Sequence, residues 1–338
     1  MMSVGSKGVG RQRYGETASE PDRKDRIDEE LLADVARRYY LADVSKVDIA
    51  RSLGLSRFKV ARLLQLARAR GIVRISIATP DMVNTRLSEQ VADRLGLTRC
   101  MVVDATGSAQ QARQQVAAAA ARALPRIVKD GDLLGLTWSR MVEAMVSSLT
   151  ELPRCHVVQL AGSFSPNNGD ALDLVQRAAR ISGGRVRALH APLVVDDPGV
   201  AAALRRQPGI RETLQAADGL DVSVVSIGAW RAGCSTVWDA VSPSVREAGL
   251  EAAAVGEVSG RLFGADGRAV ESPLDDLVIA ATLDQLRGPA ERIALVSGPH
   301  RVAPTLAAVR AGLVTTLITT SSVARGVLRV SDSPSHTR

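Results

Sequence analysis

The sequence predicts an α/β protein in two parts: a small N-terminal helical domain and a larger domain built on a doubly wound, mostly parallel sheet. Three observations predict this organisation. Apolar residues recur at helical spacing between residues 27 and 70, around a turn centred on Gly54. From about Asp81 onward, short apolar runs alternate with helical segments, which is typical of parallel βαβ units. The chain has 338 residues, of which 46% are hydrophobic, enough for about two domains.

The two ends of the chain carry little pattern. Residues 1–25 are rich in glycine, serine and charge without periodicity, and we expect them and residues 331–338 to be disordered tails. The N-terminus has no apolar signal segment, and no run approaches the roughly 18 apolar residues that a membrane span needs. We therefore expect a cytoplasmic protein without a membrane partner.

The N-terminal domain is expected over residues 26–79 and begins with a helix whose apolar pattern starts at Ile27. A second helix is predicted over residues 46–53, with Ser45 as its N-cap. Gly54 can adopt the left-handed conformation that closes this helix.

A third helix follows the turn, capped by Ser56 and ending at Gly71. Ala50 is small where the second and third helices cross. After the third helix, the segment IVRISIA alternates apolar and polar residues like a short strand. This order of elements predicts a winged helix-turn-helix domain; an ordinary helical hairpin in an enzyme is the alternative.

The third helix is strongly basic. Six basic residues and no acidic one lie in the stretch from Ser56 through Arg74, and the whole chain carries a net charge of +7. Such an excess opposite an apolar stripe favours DNA as the partner. Arg62 and Gln65 point outward and suit guanine and adenine edges, while flanking cations and helix caps suit phosphates. The predicted contacts to a double-stranded DNA operator are Ser45, Lys46, Ser56, Arg57, Phe58, Lys59, Arg62 and Gln65.

A linker helix is predicted over residues 85–95, within a linker at residues 80–97. Its apolar positions are Leu87, Val91 and Leu95. A single domain of this type covers little DNA, and specific binding usually needs two copies that read half-sites. We therefore expect the apolar face of this helix to pack against a partner subunit in a homodimer or homotetramer.

Residues 98–330 alternate short buried strands with helices, which predicts the doubly wound domain. The strand-like runs are MVVDA, GDLLGL, HVVQLAG, VRALHAP, VSVVSIG, RIALVSG and TTLITT. Ligands of doubly wound sheets bind beyond the carboxyl ends of the strands. The loops that follow these runs are therefore the candidate ligand site.

Four such loops, and one glycine-rich segment, carry polar residues. The loop LTWSRM places two hydroxyls and a cation at a helix N-terminus, which suits a phosphate or carboxylate, although Ser139 can also be a plain N-cap. A cation in a first helical turn, as at Arg301, suggests an anion nearby. Gly228 would let the backbone approach a ligand closely, and Trp138 would form an apolar wall. Glu257 could accept hydrogen bonds from hydroxyls or be a solvated loop residue. The candidate ligand-binding residues are Thr137, Trp138, Ser139, Arg140, Gln159, Gly162, Ser163, Gly228, Glu257 and Arg301.

Nothing in the sequence points to catalysis or to a metal. The three cysteines and four histidines are scattered, without a CxxC pair or HxxxH spacing. Glycine-rich fingerprints of nucleotide-binding loops and the GxSxG pattern of hydrolases are absent from the sequence. We therefore expect no catalytic residue, no metal and no cofactor.

An ordered set of segments along residues 30–330 resembles the SorC-type transcriptional regulators. The segments are IARSLGLSRFKVARLLQLARARGIVRISI, GDLLGLTWSR, VVQLAGS, ADGLDVSVVSIGA, AVGEVSGRLFGADG and LVSGPHRVAPTLAAVRAGLVTTLITTSSVARGVL. The resemblance implies a helix-turn-helix joined to an effector domain related to sugar-phosphate isomerases, commonly assembled as tetramers. It also implies a response to sugars, polyols or their phosphates.

The chain departs from the family pattern at positions that bear on the ligand. Met141 stands where a threonine usually closes the phosphate loop, and Phe58 where a proline is common. The lysine expected after a strand-end glycine pair is replaced by Arg301, whereas the acidic residue is kept as Glu257. Two arginines, Arg140 and Arg301, partly restore an anion site.

The function expected from these observations is a DNA-binding transcriptional regulator of carbohydrate or polyol metabolism. Its effector would be a small sugar or polyol, phosphorylated or not, with a phosphorylated compound ranked first by a small margin. One alternative is a sugar-phosphate isomerase or deaminase with an appended DNA-binding module. The other is an architectural DNA-binding oligomer that needs no effector.

Overall fold

The computed structural model describes residues 21–73, 83–164 and 171–332. The chain divides into two compact units, Met1–Thr79 and Pro80–Arg338. The first unit contains helices α1 (Pro21–Tyr40), α2 (Lys46–Leu53) and α3 (Arg57–Ala69).

The second unit alternates strands and helices. Its strands are β1 (Arg99–Val103), β2 (Leu133–Leu136), β3 (His156–Gln159), β4 (Val186–Arg187), β5 (Val222–Ser226), β6 (Gly228–Ala229), β7 (Ala254–Val258), β8 (Arg261–Gly264), β9 (Glu291–Val296) and β10 (Thr316–Thr320). Its helices up to the middle of the unit are α4 (Thr85–Leu95), α5 (Ala109–Ala123), α6 (Arg140–Ser148), α7 (Ala171–Ser182), α8 (Pro198–Arg206) and α9 (Pro208–Gln215). The remaining helices are α10 (Thr236–Ala240), α11 (Pro243–Glu251), α12 (Leu274–Leu277), α13 (Leu283–Arg287), α14 (Val302–Arg310) and α15 (Ser321–Asp332).

The helix-turn-helix forms for the local reasons that the sequence indicates. The Ser45 hydroxyl accepts the N–H of Asp48 and caps α2, and the Ser56 hydroxyl accepts the N–H of Lys59 and caps α3. Gly54 closes α2 with φ 63°, in the left-handed region that glycine adopts without steric cost. The predicted caps and turn are therefore present.

The helices of the first unit enclose one apolar core. Its fully buried residues are Leu32, Val35, Ala36, Ile49, Ala50, Val60, Leu64 and Ala67. The predicted wing strand IVRISIA lies outside the described residues beyond its first two positions.

Helix α1 begins at Pro21, so residues 21–25, which we assigned to a disordered tail, are helical. Proline favours a first helical turn because its φ is already fixed near the helical value. At the other end α15 continues to Asp332, two residues into the expected C-terminal tail.

The second unit has the predicted doubly wound sheet. Seven strands pair in the order β1-β10-β9-β5-β2-β3-β4, and all neighbours are parallel. Each of the seven predicted strand segments contributes one of them. Alternate residues of a strand enter different cores: Val224 belongs to the core that includes α5, α6 and α7, whereas Val225 belongs to the core that includes α4, α14 and α15. Helices thus cover both faces, as parallel sheets require.

Helix α4 spans the expected residues but does not serve as a free linker. Leu87 and Val91 are buried in the core under β1 and α15, and Leu95 packs against the same cluster. The Ser88 hydroxyl also accepts the N–H of Val102 at 2.8 Å and so ties α4 to β1. The expectation that this apolar face packs on a partner subunit is therefore wrong, because the helix's own unit covers it.

A second, antiparallel sheet was not predicted. It joins β6, β7 and β8 and includes the glycine-rich segment around Glu257. Its strands are two to five residues long and interrupted by glycines, so they carry little strand periodicity. Of the helices in the described ranges, none has the length and apolar character required to cross a membrane.

Candidate functional site

The loops after β2, β5 and β9 meet at one edge of the large sheet. These three strands are neighbours, and the chain leaves β2 toward β3 but leaves β5 toward β9, which makes this edge a topological switch point. The Ser139 hydroxyl lies 2.8 Å from the Ser226 hydroxyl and joins the first two loops. Ser139 also caps α6 by accepting the N–H of Val142. We call the space bounded by these loops the switch-point crevice.

Arg301 holds the third loop in place. Its guanidinium donates to the carbonyl oxygens of Ile227 at 3.2 Å, Ser297 at 3.0 Å and Cys234 at 3.0 Å. These bonds connect the loops after β5 and β9. Carbonyl oxygens satisfy the donors of the guanidinium without neutralising its charge. Arg301 is thus both a structural tie and a source of positive potential.

Arg113, on α5, completes a cationic group that we did not predict. Burial lowers the pKa of the Arg113 guanidinium below its usual value, and the charges of Arg140 and Arg301 lower it further. Among the described residues, neither Arg113 nor Arg140 forms an ion pair. Three neighbouring like charges, of which Arg113 and Arg140 have no carboxylate partner, favour a bound anion. We call Arg113, Arg140 and Arg301 the arginine trio.

Glu257 lies beside the crevice on β7, paired with Gly228 on β6. Its carboxylate accepts the N–H of Gly260 at 3.0 Å and a hydrogen bond from Ser235. Burial raises the pKa of the Glu257 carboxyl, while those two hydrogen bonds and the charge of Arg301 oppose the rise. The residue is therefore a buried carboxyl group and not a solvated loop residue.

Gly228 has a different role from the expected one. A β-carbon at this position would lie 2.1 Å from Oε1 of Glu257, so the glycine makes room for that carboxylate and not for a ligand. Gly162 similarly fits against the backbone of Pro192, with 2.4 Å from a built β-carbon to the Pro192 carbonyl oxygen. Both glycines are required by packing within the protein.

The amide of Gln159 is occupied by backbone. It donates to the carbonyl of Ala161 at 2.8 Å and accepts the N–H of Leu189 at 3.0 Å, and only 1% of the residue is exposed. Gln159 therefore ties β3 to the segment after β4, and its amide is occupied within the protein and not directed at a ligand. Ser163 is paired through its backbone with Ala191 and Leu193.

Trp138 and Thr137 are buried, with 7% and 2% of their surface exposed. The Trp138 ring packs against Phe164 with centroids 5.3 Å apart and belongs to the core beneath α6. Its indole Nε1–H is buried without an acceptor. The indole is therefore part of the core and not an exposed wall or lid.

Two open clefts lie away from the crevice. One, of about 430 Å³, is formed by residues at β4 and α9, and the other, of about 320 Å³, lies between α9, α13 and β8. Neither contains a predicted site residue. In the second cleft, the guanidinium groups of Arg205 and Arg261 are already bonded to backbone carbonyls. The volume of these two clefts does not by itself indicate a function. The described residues contain no cluster of His, Cys, Asp and Glu suited to a metal ion.

Helix α3 presents an exposed face with the predicted residues. Phe58, Arg62 and Gln65 lie at helical spacing on the side opposite the buried Val60 and Leu64. Of the eight predicted DNA contacts, Lys46 is partly buried and the other seven are exposed to solvent: Ser45, Ser56, Arg57, Phe58, Lys59, Arg62 and Gln65.

Two groups near this face are engaged within the unit. The Ser45 hydroxyl donates to the Asp48 carboxylate at 2.6 Å, and the Lys46 ammonium lies 5.2 Å from the centre of the Tyr39 ring. Arg57, Lys59 and Arg62 have no carboxylate partner among the described residues. These three cations are therefore available to a polyanion.

Comparison with known proteins gives a consistent result. The family model described as "Putative sugar-binding domain" matches residues 82–329. Transcriptional regulator LsrR of Klebsiella pneumoniae is 29% identical over 311 residues, covering 89% of this chain and 93% of the relative. The deoxyribonucleoside regulator of Bacillus subtilis is 26% identical over 309 residues, covering 90% and 99%. The crystal structure of the full-length sorbitol operon regulator SorC from Klebsiella pneumoniae shares the fold, with a TM-score of 0.67 at 23% identity over 89% of this chain and 99% of that one.

Proposed function

The chain belongs to the SorC-type family of transcriptional regulators, and from this premise we propose that it binds operator DNA through α2 and α3 under the control of an effector in the switch-point crevice. The protein is a transcriptional regulator and not an enzyme, since the relatives that it matches along nearly their whole length are regulators. We propose a sugar or polyol as the class of effector; the matching sugar-binding domain and the relatives named for a sorbitol operon and for erythritol catabolism support this.

One observation supports the proposal for the effector: at the switch point, Arg113 and Arg140 form no ion pair among the described residues. Helix α6 begins at Arg140, directly after the loop that follows β2, so its N-terminus adds a partial positive charge beside the crevice. The Ser139 and Ser226 hydroxyls stand beside this N-terminus. We propose that an anionic group of the effector, a phosphate or a carboxylate, binds to the trio while its hydroxyls face the serines.

Control of DNA binding requires a difference in affinity. An effector changes operator occupancy only if it binds the DNA-competent and DNA-incompetent forms unequally. The proposed DNA contacts belong to the first unit and the proposed effector contacts to the second, so effector binding must be communicated from one unit to the other. We further propose a homodimer or homotetramer acting in the cytoplasm, because a helix-turn-helix usually reads paired half-sites.

The experiment uses the full-length protein. An operator is first selected from random duplexes, and its release is then measured while sugar phosphates, sugar acids and unphosphorylated polyols are added. We expect an anionic compound to change operator affinity. At a hundred times its Kd, the compound should also increase the free energy of unfolding by about 2.7 kcal/mol, which a higher melting temperature reveals.

The matched variants are Arg140→Ala in the trio and Arg180→Ala, an exposed arginine in the last turn of α7. Arg140→Ala should lose the response to the compound, and Arg180→Ala should keep it. If a compound still changed operator affinity in both Arg140→Ala and Arg113→Ala, the effector site would lie outside the arginine trio. Specific DNA binding that no compound alters would instead favour the effector-independent alternative.

A further inference from the structure

Phe58 is the second residue of α3, and 86% of its surface is exposed. Among the described residues it is the most exposed large hydrophobic side chain. The opposite face of α3 packs into the core of the first unit, where Val60, two residues after Phe58, is fully buried. Nothing in the fold of this unit therefore requires an aromatic side chain at Phe58.

The position of Phe58 directs it toward the surface that the helix presents to DNA. It lies one turn before Arg62 and two turns before Gln65, on the same exposed stripe. Arg57 and Lys59 flank it and carry charges that no described carboxylate neutralises. A polyanion is the partner that this combination fits, and residues near the N-terminus of a recognition helix meet base edges.

The chemistry of the side chain selects the base. A phenyl ring has no hydrogen-bond donor or acceptor, so it gains nothing from the polar edges of guanine, adenine or cytosine. The apolar group displayed in the major groove is the 5-methyl group of thymine. Resting on the proposed DNA-binding function, we propose that Phe58 specifies a thymine in each operator half-site by packing against that methyl group.

The test removes the methyl group and changes nothing else on the base. With the operator selected by the full-length wild type, each thymine is replaced singly by deoxyuridine, and the Kd is measured at fixed salt. We expect one position in each half-site at which the Kd rises roughly four-fold, the effect of losing contact with one methyl group. The Phe58→Ala protein should bind the thymine and uracil duplexes equally at that position.

Two further variants sharpen the result. Phe58→Leu keeps an apolar side chain and should retain part of the thymine preference. Leu41→Ala removes a side chain that is 81% exposed but lies outside α3, and it should leave the preference unchanged. Circular dichroism checks that each variant is folded, and the wild-type uracil series is informative by itself.

The outcomes separate this inference from the proposed function. A wild type that selects no sequence would overturn the DNA-binding function and the inference with it. Selective binding that tolerates uracil at every position would overturn the inference alone. If Phe58→Ala remained sensitive to uracil, another residue would make the methyl contact and the inference would be wrong. If Phe58→Ala changed only the self-association of the protein, the ring would belong to a protein interface, which would also overturn the inference.

Discussion

The hydroxyl of Ser139 lies 2.8 Å from the hydroxyl of Ser226 and joins the loops that follow two adjacent parallel strands. Ser139 has a second task as the N-cap of α6, whereas Ser226 has no capping role. The two serines therefore allow the bond between the loops to be separated from the helix cap.

Ser226→Ala should destabilise the protein by about 0.5–1.5 kcal/mol, the net value of one hydrogen bond. Ser139→Ala should cost about 1 kcal/mol more because it also removes the cap. The double variant should cost less than the sum of the two, since they share one bond. Urea unfolding measures all three values, and equal costs for the two single variants would show that the cap contributes nothing.

Arg113→Ala tests the arginine trio with inorganic phosphate as the probe. Phosphate should raise the melting temperature of the wild type more than chloride of equal ionic strength, and the Arg113→Ala variant should lose that excess. Without phosphate, the variant should be at least as stable as the wild type, because a partly buried cation next to two others is removed. Arg180→Ala serves as the control, and an undiminished phosphate effect in Arg113→Ala would exclude Arg113 from the anion site.

Gly228→Ala should destabilise the protein by roughly 1–3 kcal/mol, because its β-carbon would overlap the Glu257 carboxylate. Removing the Glu257 carboxylate should restore part of the lost stability. The double variant Gly228→Ala, Glu257→Ala should therefore lose less free energy of unfolding than the sum of the losses in the two single variants. Gly219→Ala provides the control, because nothing lies within 4 Å of a β-carbon there. Strict additivity in this double-mutant cycle would contradict the packing explanation.

Glu257 should make stability depend on pH. A carboxyl group whose pKa is raised by folding holds its proton more tightly in the folded chain than in the unfolded one. Its contribution is fully present below the ordinary value of 4.5 and is lost as pH rises through the folded pKa. Glu257→Gln cannot ionise, so its stability relative to the wild type should increase over that pH range. Urea unfolding of both proteins at several pH values measures the difference, and a pH-independent difference would contradict a raised pKa.

Lys59→Ala and Arg62→Ala should affect DNA binding in different ways. Loss of a phosphate contact at Lys59 should weaken binding to all duplexes similarly and flatten the log–log salt slope by about one unit. Loss of a base contact at Arg62 should cost about 1–3 kcal/mol mainly at one base position. Titrations of specific and random duplexes at several salt concentrations distinguish the two, and wild-type behaviour of both variants would remove α3 from the DNA contacts.

The sequence predicted the large sheet because each of its strands is a local run of apolar residues. It also predicted the turn at Gly54, where neighbouring caps define both helices. Other features depend on residues distant in the sequence. Gly228 looked like a ligand-approach site, but the reason for it is Glu257 on another strand. No local pattern distinguishes such a glycine from one that lines a pocket.

Arg113 was missed for the same reason. It lies in a helix rich in alanine and glutamine, and its significance comes only from the packing of α5 beside the loops that carry Arg140 and Arg301. Gln159 was misassigned because a polar residue at a strand end can face a ligand or bond to backbone equally well. Its partners Ala161 and Leu189 become visible only when the sheet is assembled.

Helix α4 sets where the protein can be cut. A fragment that begins after Leu95 would lack Leu87 and Val91 and would expose the apolar surface under β1 to water, which favours aggregation. A fragment that begins before Asn84 keeps the helix and its cap. A chimaera that joins this effector domain to another DNA-binding module should therefore have its junction on the N-terminal side of Asn84. The effector fragment then includes α4 together with the sheet that it packs against.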